Sequence, residues 1–354
     1  MNDLLTIVCP TYNRGHRALE TVRAIAPKLP HRTSVMVLDN ASVQFSEEYE
    51  QIGIMADQSD QLNYQRNNEN LLFEGNFLKA FEVVDTNYLM FLSDEDVPNL
   101  NFIVEHLPLF EDENAYGAIR PSVAINPDQP VPAKNTCAYE EKRFEPGIGA
   151  LCEFGLTGNY ISGGIYNVHL MKRAGLVEKL KAKLYEQRFY PHLYLNSLIS
   201  TKFPTKFMSQ ASVFEGEPCA GIGSNVTAYG QLGALAYGHR LDAFLAAREG
   251  ISDALADSEF NSDHNFFLAY THLVQKYLML IIGVNGETYQ RLGNLEILAL
   301  SDSFIKYCMS AISLHKGFLD YAESLELSFH KMKNHILEMV GVTVSSSPEH
   351  SFGE

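Results

Sequence analysis

The chain has 354 residues, 46% hydrophobic and 20% charged, and its 43 acidic against 27 basic side chains leave a formal net charge of −16. A chain of this length and apolar content buries a sizeable core and forms either one large domain with an appendage or two domains. An acidic protein without a basic surplus is a poor candidate for a nucleic-acid binder, and its overall charge would not draw it to an anionic membrane.

The N-terminal stretch MNDLLTIVCPTYNR lacks the basic start, long apolar middle and cleavage site of a signal peptide. The longest unbroken apolar run, Tyr277 to Val284, is too short to span a bilayer. Five cysteines lie far apart without a CxxC pair, which reads as reduced thiols. A cytoplasmic protein with no transmembrane segment is therefore expected.

Short β-type runs occur at residues 4–9, 34–39, 62–66 and 88–93. Between the first two, Leu19, Val22, Ile25 and Leu29 share one helical face; before the fourth, Phe73, Phe77, Ala80, Phe81 and Val84 do the same. Strand alternating with helix predicts an α/β fold whose mostly parallel sheet is covered on both faces. Ligands of such sheets bind at the carboxyl ends of the strands. There the first strand runs into Pro10, Thr11, Tyr12, Asn13 and Arg14, the second into Asp39, Asn40, Ala41 and Ser42, and the fourth into Asp94 and Asp96. The three tips should converge on one edge.

Residues 121–145 turn irregular around NPDQPVPAKN, and a Gly-rich segment, GLTGNYISGGIYN at 155–167, leads into a helical stretch carrying Lys172, Arg173, Lys179, Lys181 and Lys183. GEPCAGIGSN at 216–225 marks a second boundary, beyond which the chain reads as mainly helical. The expected division is an α/β domain over 1–220, a helical domain over 221–342 and a flexible tail over 343–354.

Asp94, Glu95 and Asp96 follow an apolar strand directly, and ionised carboxylates so close need a cation or an exit into water. Alternate residues of a strand share a face, so Asp94 and Asp96 would point together and suit Mn²⁺ or Mg²⁺, with Glu95 pointing the other way. Taken alone, the same cluster reads more readily as a solvated acidic turn capping the next segment.

TIVCPTYNR (6–14), VLDNAS (37–42), RNNENLLFEGNFLKAF (66–81) and FLSDED (91–96), in this order and spacing, resemble the nucleotide-binding half of a family-two glycosyltransferase with the GT-A fold. The resemblance covers about residues 4–100 and extends more weakly to about 190. It implies a donor-nucleotide site of Pro10, Tyr12, Arg14, Asp39, Arg66, Asn70 and Asp94, with Tyr12 beside the base and Asp39 accepting from the base imide. Asn70 matches the start of the family's N-x-G segment, but Leu72 stands where glycine is usual. Asp96 becomes the direct ligand of a Mn²⁺ or Mg²⁺ cofactor, and Asp94 the ribose or metal-water contact.

The resemblance also implies inversion at the anomeric carbon, with an acidic base placed beyond the Gly-rich segment. Glu186 is the expected base, followed by Gln187 where the family has a second acid; Glu215 and Glu217 are the alternatives. Gly163 and Gly164 would let the backbone approach the donor sugar or acceptor, a simple turn being the plainer reading. His192 and His239 could complete a metal shell, although lone histidines are more often structural. The basic run from 172 to 183 would attract a phosphate-bearing acceptor or form a solvated helix face. Residues 263–282 are apolar on more than one helix face, which suits packing against the first domain, self-association or membrane contact.

The expected function is metal-assisted transfer from a nucleotide-sugar, UDP-linked by preference, to a glycan or lipid-linked glycan of a bacterial surface polysaccharide. A binding module without turnover and a sugar nucleotidyltransferase are the alternatives, the latter lacking its Gly-rich GxGTR loop here.

Overall fold

The structure, a computed structural model, describes residues 3–125, 138–157, 160–184, 190–216, 233–313 and 319–342. Four strands, β1 (Leu5–Thr11), β2 (Thr33–Asp39), β3 (Leu62–Arg66) and β4 (Tyr88–Phe91), lie parallel in the order β3-β2-β1-β4. Their register sets Thr11 against Asp39 and Asp39 against Arg66, so three polar strand ends finish at one level. β1 and β4 are buried almost throughout, which is why they read as continuous apolar runs rather than alternating ones.

Side chains alternate between two cores. Tyr88 and Met90 join Leu5, Ile7, Val35 and Val37 on one face, under α1 (Gly15–Ile25), α2 (Ser46–Asp57) and, through Phe102 and Ile103, a later helix. Leu89 and Phe91 join Val8 and Leu38 on the other face, under α3 (Leu72–Val83), whose Phe77 ring stacks on Phe91 at 4.6 Å. Both faces are covered, as the pattern predicts. α1 stops at Ile25 rather than reaching Leu29, because Pro27 has no N–H to continue the ladder and the chain tightens into a 3₁₀ turn, Ala26–Lys28. α2 has no clear apolar stripe to announce it, burying only Tyr49 and Ile52 of its 12 residues.

The second half of the sheet is mixed. β5 (Val97–Pro98) precedes α4 (Leu100–Glu111), and then come β6 (Ala118–Ile125), β7 (Lys142–Phe144), β8 (Ile165–Asn167) and β9 (Thr205–Glu215). β8 runs antiparallel between β4 and β6, while β6 pairs in parallel with β9 through register shifts at Pro121–Val123. β9 escapes sequence reading because Ser209, Gln210 and Ala211 interrupt its alternation where the bulge lies.

The chain divides into two compact units: Met1–Thr227 with Leu245–Asn261, and Ala228–Phe244 with Ser262–Glu354. Helix Gly233–Ala256 supplies residues to both. In the second unit, helices Asp263–Leu292, Leu295–Ser313 and Leu319–Met339 pack together, with the Phe244 ring edge-on to Tyr270, Tyr277 and Phe304. Asp263–Gln290 is long and apolar enough to cross a membrane by length and composition, although polar residues interrupt its apolar run. Within its unit, however, Tyr270, Leu273, Tyr277 and Ile281 are fully buried.

Candidate active site

The loops after the first three strands are tied together by buried side chains. Asn13, at the β1 tip, has a left-handed backbone (φ 55°), donates its N–H to Ser42 Oγ at 2.8 Å, and accepts from the Val43 and Gln44 N–H groups at 2.8 and 3.1 Å. Asp39 is fully buried and accepts three bonds: from the Ser42 N–H (2.9 Å), the Tyr64 hydroxyl (3.0 Å) and Arg66 Nη1 (3.3 Å). Burial first and the Asp39 charge second push the Tyr64 hydroxyl far above its ordinary value, so it stays protonated and donates.

The cation beside the acidic cluster is Arg14. Its Nη2 stands 3.1 Å from Asp94 Oδ1 and 2.6 Å from Glu95 Oε2. Thr11 Oγ1 donates to Asp94 Oδ2 at 3.2 Å and, its proton committed, accepts from the Tyr49 hydroxyl at 2.9 Å. Burial lifts the Asp94 carboxyl to about 6, with Arg14 pulling it down and Glu95 pushing it up.

Two expectations about this cluster need correction. β4 ends at Phe91, and Asp96 N–H closes a turn onto the Ser93 carbonyl at 3.0 Å, so the alternation of a strand does not govern these residues. Glu95 therefore shares the Arg14 guanidinium with Asp94 instead of pointing away. Asp96 takes different partners from Asp94: the Tyr160 hydroxyl donates to both its oxygens at 2.8 and 2.7 Å, and the Gly216 N–H donates to Oδ1 at 3.0 Å. Asp96 is buried, which raises its carboxyl, and burial first and the Asp96 charge second keep the Tyr160 hydroxyl protonated.

A cavity of about 400 Å³ opens at the carboxyl ends of β1, β2 and β4, lined by Pro10, Tyr12, Arg14, Asn70, Leu72 and Asp94 among others. Asp39 and Arg66, spent on each other and on Ser42, are not among its lining residues. Arg66 faces instead a shallower depression beside Tyr49, Glu50 and Tyr64. The side of the cavity nearest β2 is held by asparagines. Asn40 Nδ2 donates to Asn70 Oδ1 (2.9 Å) and to the Leu72 carbonyl (3.0 Å), while Asn67 Nδ2 bridges Asn40 and Asn76. Leu72 itself, in the place of the family's glycine, adopts φ +59°. That conformation costs an L-residue about 1–2 kcal/mol.

The donor set suits a divalent ion in kind, because Asp94 and Asp96 are hard oxygen ligands a single residue apart and Asp94 lines the cavity. Among the described residues, no group of three or more His, Cys, Asp or Glu is placed to hold a metal ion. His192 is buried, with the rings of Phe77 and Tyr190 beside it.

Gly163 and Gly164 are closely packed by their own chain. Gly163 has φ +80°, and a Cβ there would sit 2.5 Å from Ser212 Oγ; at Gly164 it would meet the Ile161 carbonyl at 3.1 Å. The basic run is paired internally: Lys172 with Asp85, Lys179 with Asp257, Lys181 with Glu82 and Lys183 with Glu249. Glu186, Gln187, Glu217 and the His239 side chain lie outside the described residues. Glu215 is half-buried, and burial, then Asp96 and Glu95, raise its carboxyl. Sequence reasoning passed over Tyr160 and Tyr64, since a lone tyrosine carries no signal until the fold sets it against an acid.

Residues 6–173 match the family model of glycosyl transferase family 2. The matched stretch is just under half of the chain, and the sheet with its flanking helices is an α/β fold. No curated protein sequence matches the chain. Similar solved structures include S. aureus TarS 1-349 in complex with UDP-GlcNAc, 12% identical over 86% of this chain and 91% of that one, with a TM-score of 0.45. Another is the mannosyltransferase PcManGT from Pyrobaculum calidifontis in complex with GDP-Man and Mn²⁺, 13% identical over 95% of this chain and 88% of that one, with a TM-score of 0.48.

Proposed function

We propose that the protein is an inverting glycosyltransferase that moves a sugar from a nucleotide-sugar, UDP-linked by preference, to a hydroxyl of a glycan or lipid-linked glycan. The observation that carries this reading is the cavity in the stretch that matches family two, where Pro10, Tyr12, Arg14, Asn70 and Asp94 line one space at the strand ends. Tyr12, half-buried there, offers a ring to the base. Arg14 presents a fixed positive charge to the diphosphate while holding Asp94. Asp94 and Asp96 are the residues that would hold Mn²⁺ or Mg²⁺. Such an ion, when bound, supplies positive charge that makes the diphosphate a better leaving group.

Inversion in one displacement requires a base on the acceptor side. Glu186 is the residue proposed for it, and Glu215, whose raised carboxyl favours proton uptake, is the described alternative. The setting proposed is a cytoplasmic step of bacterial surface polysaccharide or lipopolysaccharide synthesis, with self-association through the C-terminal helices.

The test is release of nucleoside diphosphate from a panel of UDP-, dTDP- and GDP-sugars with Mn²⁺ or Mg²⁺. Pyrophosphate release would favour a nucleotidyltransferase, and binding without turnover a glycan- or nucleotide-binding module. Asp96→Ala is expected to abolish metal-dependent turnover while circular dichroism shows a folded protein; retained activity would refute the metal assignment. Of Glu186→Gln and Glu215→Gln, the one that removes turnover while sparing UDP binding identifies the base.

A further inference from the structure

One residue of the cavity wall holds a conformation its own side chain disfavours. Leu72 begins α3 with φ +59°, the region in which glycine is at ease and a branched side chain is not. The conformation is over-determined from outside: Asn70 Oδ1 accepts the Leu72 N–H at 2.8 Å, Asn40 Nδ2 donates to the Leu72 carbonyl at 3.0 Å, and Asn40 Oδ1 accepts the Leu71 N–H at 2.9 Å. Glycine would satisfy all three bonds without strain. Nor does packing account for the leucine, for its side chain is 58% exposed and belongs to neither core. Strain of this kind persists where it serves a site.

The position of Leu72 in the cavity says which part of a ligand it meets. Its bonds to Asn40 place it at the β2 side, whereas Asp94, following β4, and Arg14 supply the charge on the other side of β1. β2 and β4 flank β1, so the two sides are two strand spacings, roughly 10 Å, apart. A nucleotide whose diphosphate lies at Arg14 and reaches across the β1 tip brings its uncharged, planar base to the β2 side. We propose that Leu72 is a donor-binding residue whose exposed side chain forms an apolar wall against the nucleobase in the cavity that Tyr12 also lines. This rests on the reading of the cavity as a nucleotide site.

Isothermal titration with UDP in the presence of Mn²⁺, paired with thermal unfolding of the free proteins, tests it. Leu72→Gly removes both wall and strain, so UDP binding should weaken about fivefold or more while Tm rises by about 2–4 °C. Leu72→Ala removes the wall and keeps a Cβ in the left-handed region, so binding should weaken without that rise. Leu72→Met should bind UDP as the wild type does. Unchanged UDP affinity in both the Gly and Ala variants overturns the proposal and leaves the nucleotide site standing. Failure of the wild-type protein to bind UDP, dTDP or GDP overturns the nucleotide reading itself, and this inference with it.

Discussion

Arg14 is the residue on which the acidic turn depends. Three adjacent carboxylates are tolerable because one guanidinium reaches two of them and a tyrosine hydroxyl with a backbone N–H takes the third. Burial nevertheless lifts Asp94 from 3.8 to about 6, so between those values the folded chain holds a proton that the unfolded chain has released. The contribution of this group to stability therefore falls as pH rises through that window, and its full cost is present above it. Chemical denaturation of wild type and Asp94→Asn from about pH 4 to 7 should show the wild type losing ground to the variant as pH rises. Arg14→Gln, which removes the pull toward ionisation, should steepen that loss. Parallel curves would exclude the assigned shift.

The elements hold the site through packing that local sequence describes only in part. Phe73, Phe77, Ala80 and Phe81 announced α3 by their spacing, and Phe77 and Phe81 do bury against Phe91 and Tyr166. Gly163 and Gly164 announced only freedom from a Cβ. What uses that freedom at Gly163 is β9, more than 40 residues on, whose Ser212 donates to the Gly163 carbonyl at 3.2 Å. Gly163→Ala combines a clash with a left-handed backbone at φ +80°. It should destabilise the protein by about 1–3 kcal/mol, measured as a fall in the denaturant midpoint with unchanged slope. A neutral result would return Gly163 to consideration as a ligand contact.

At the scale of the whole molecule, two compact units are expected to unfold as two cooperative blocks. The cavity belongs to the first. UDP at about 100 times its Kd should stabilise that unit by about 2.7 kcal/mol and move its melting transition alone; a calorimetric scan in which both transitions or neither moved would contradict that placement. The parallel half of the sheet and the residues at its tips were legible because β1, β2 and β4 are buried runs, each with its polar exit attached, a pattern carried within ten residues of chain. What no local pattern carries is the partner of each polar group. Arg14 meets Glu95 across 81 positions, Tyr64 meets Asp39 across 25, and Tyr160 meets Asp96 across 64. Strand order and turn geometry chose those partners, because a charge leaving a strand end pairs with whichever group the neighbouring strands bring to the same level, and only the assembled sheet decides which strands are neighbours.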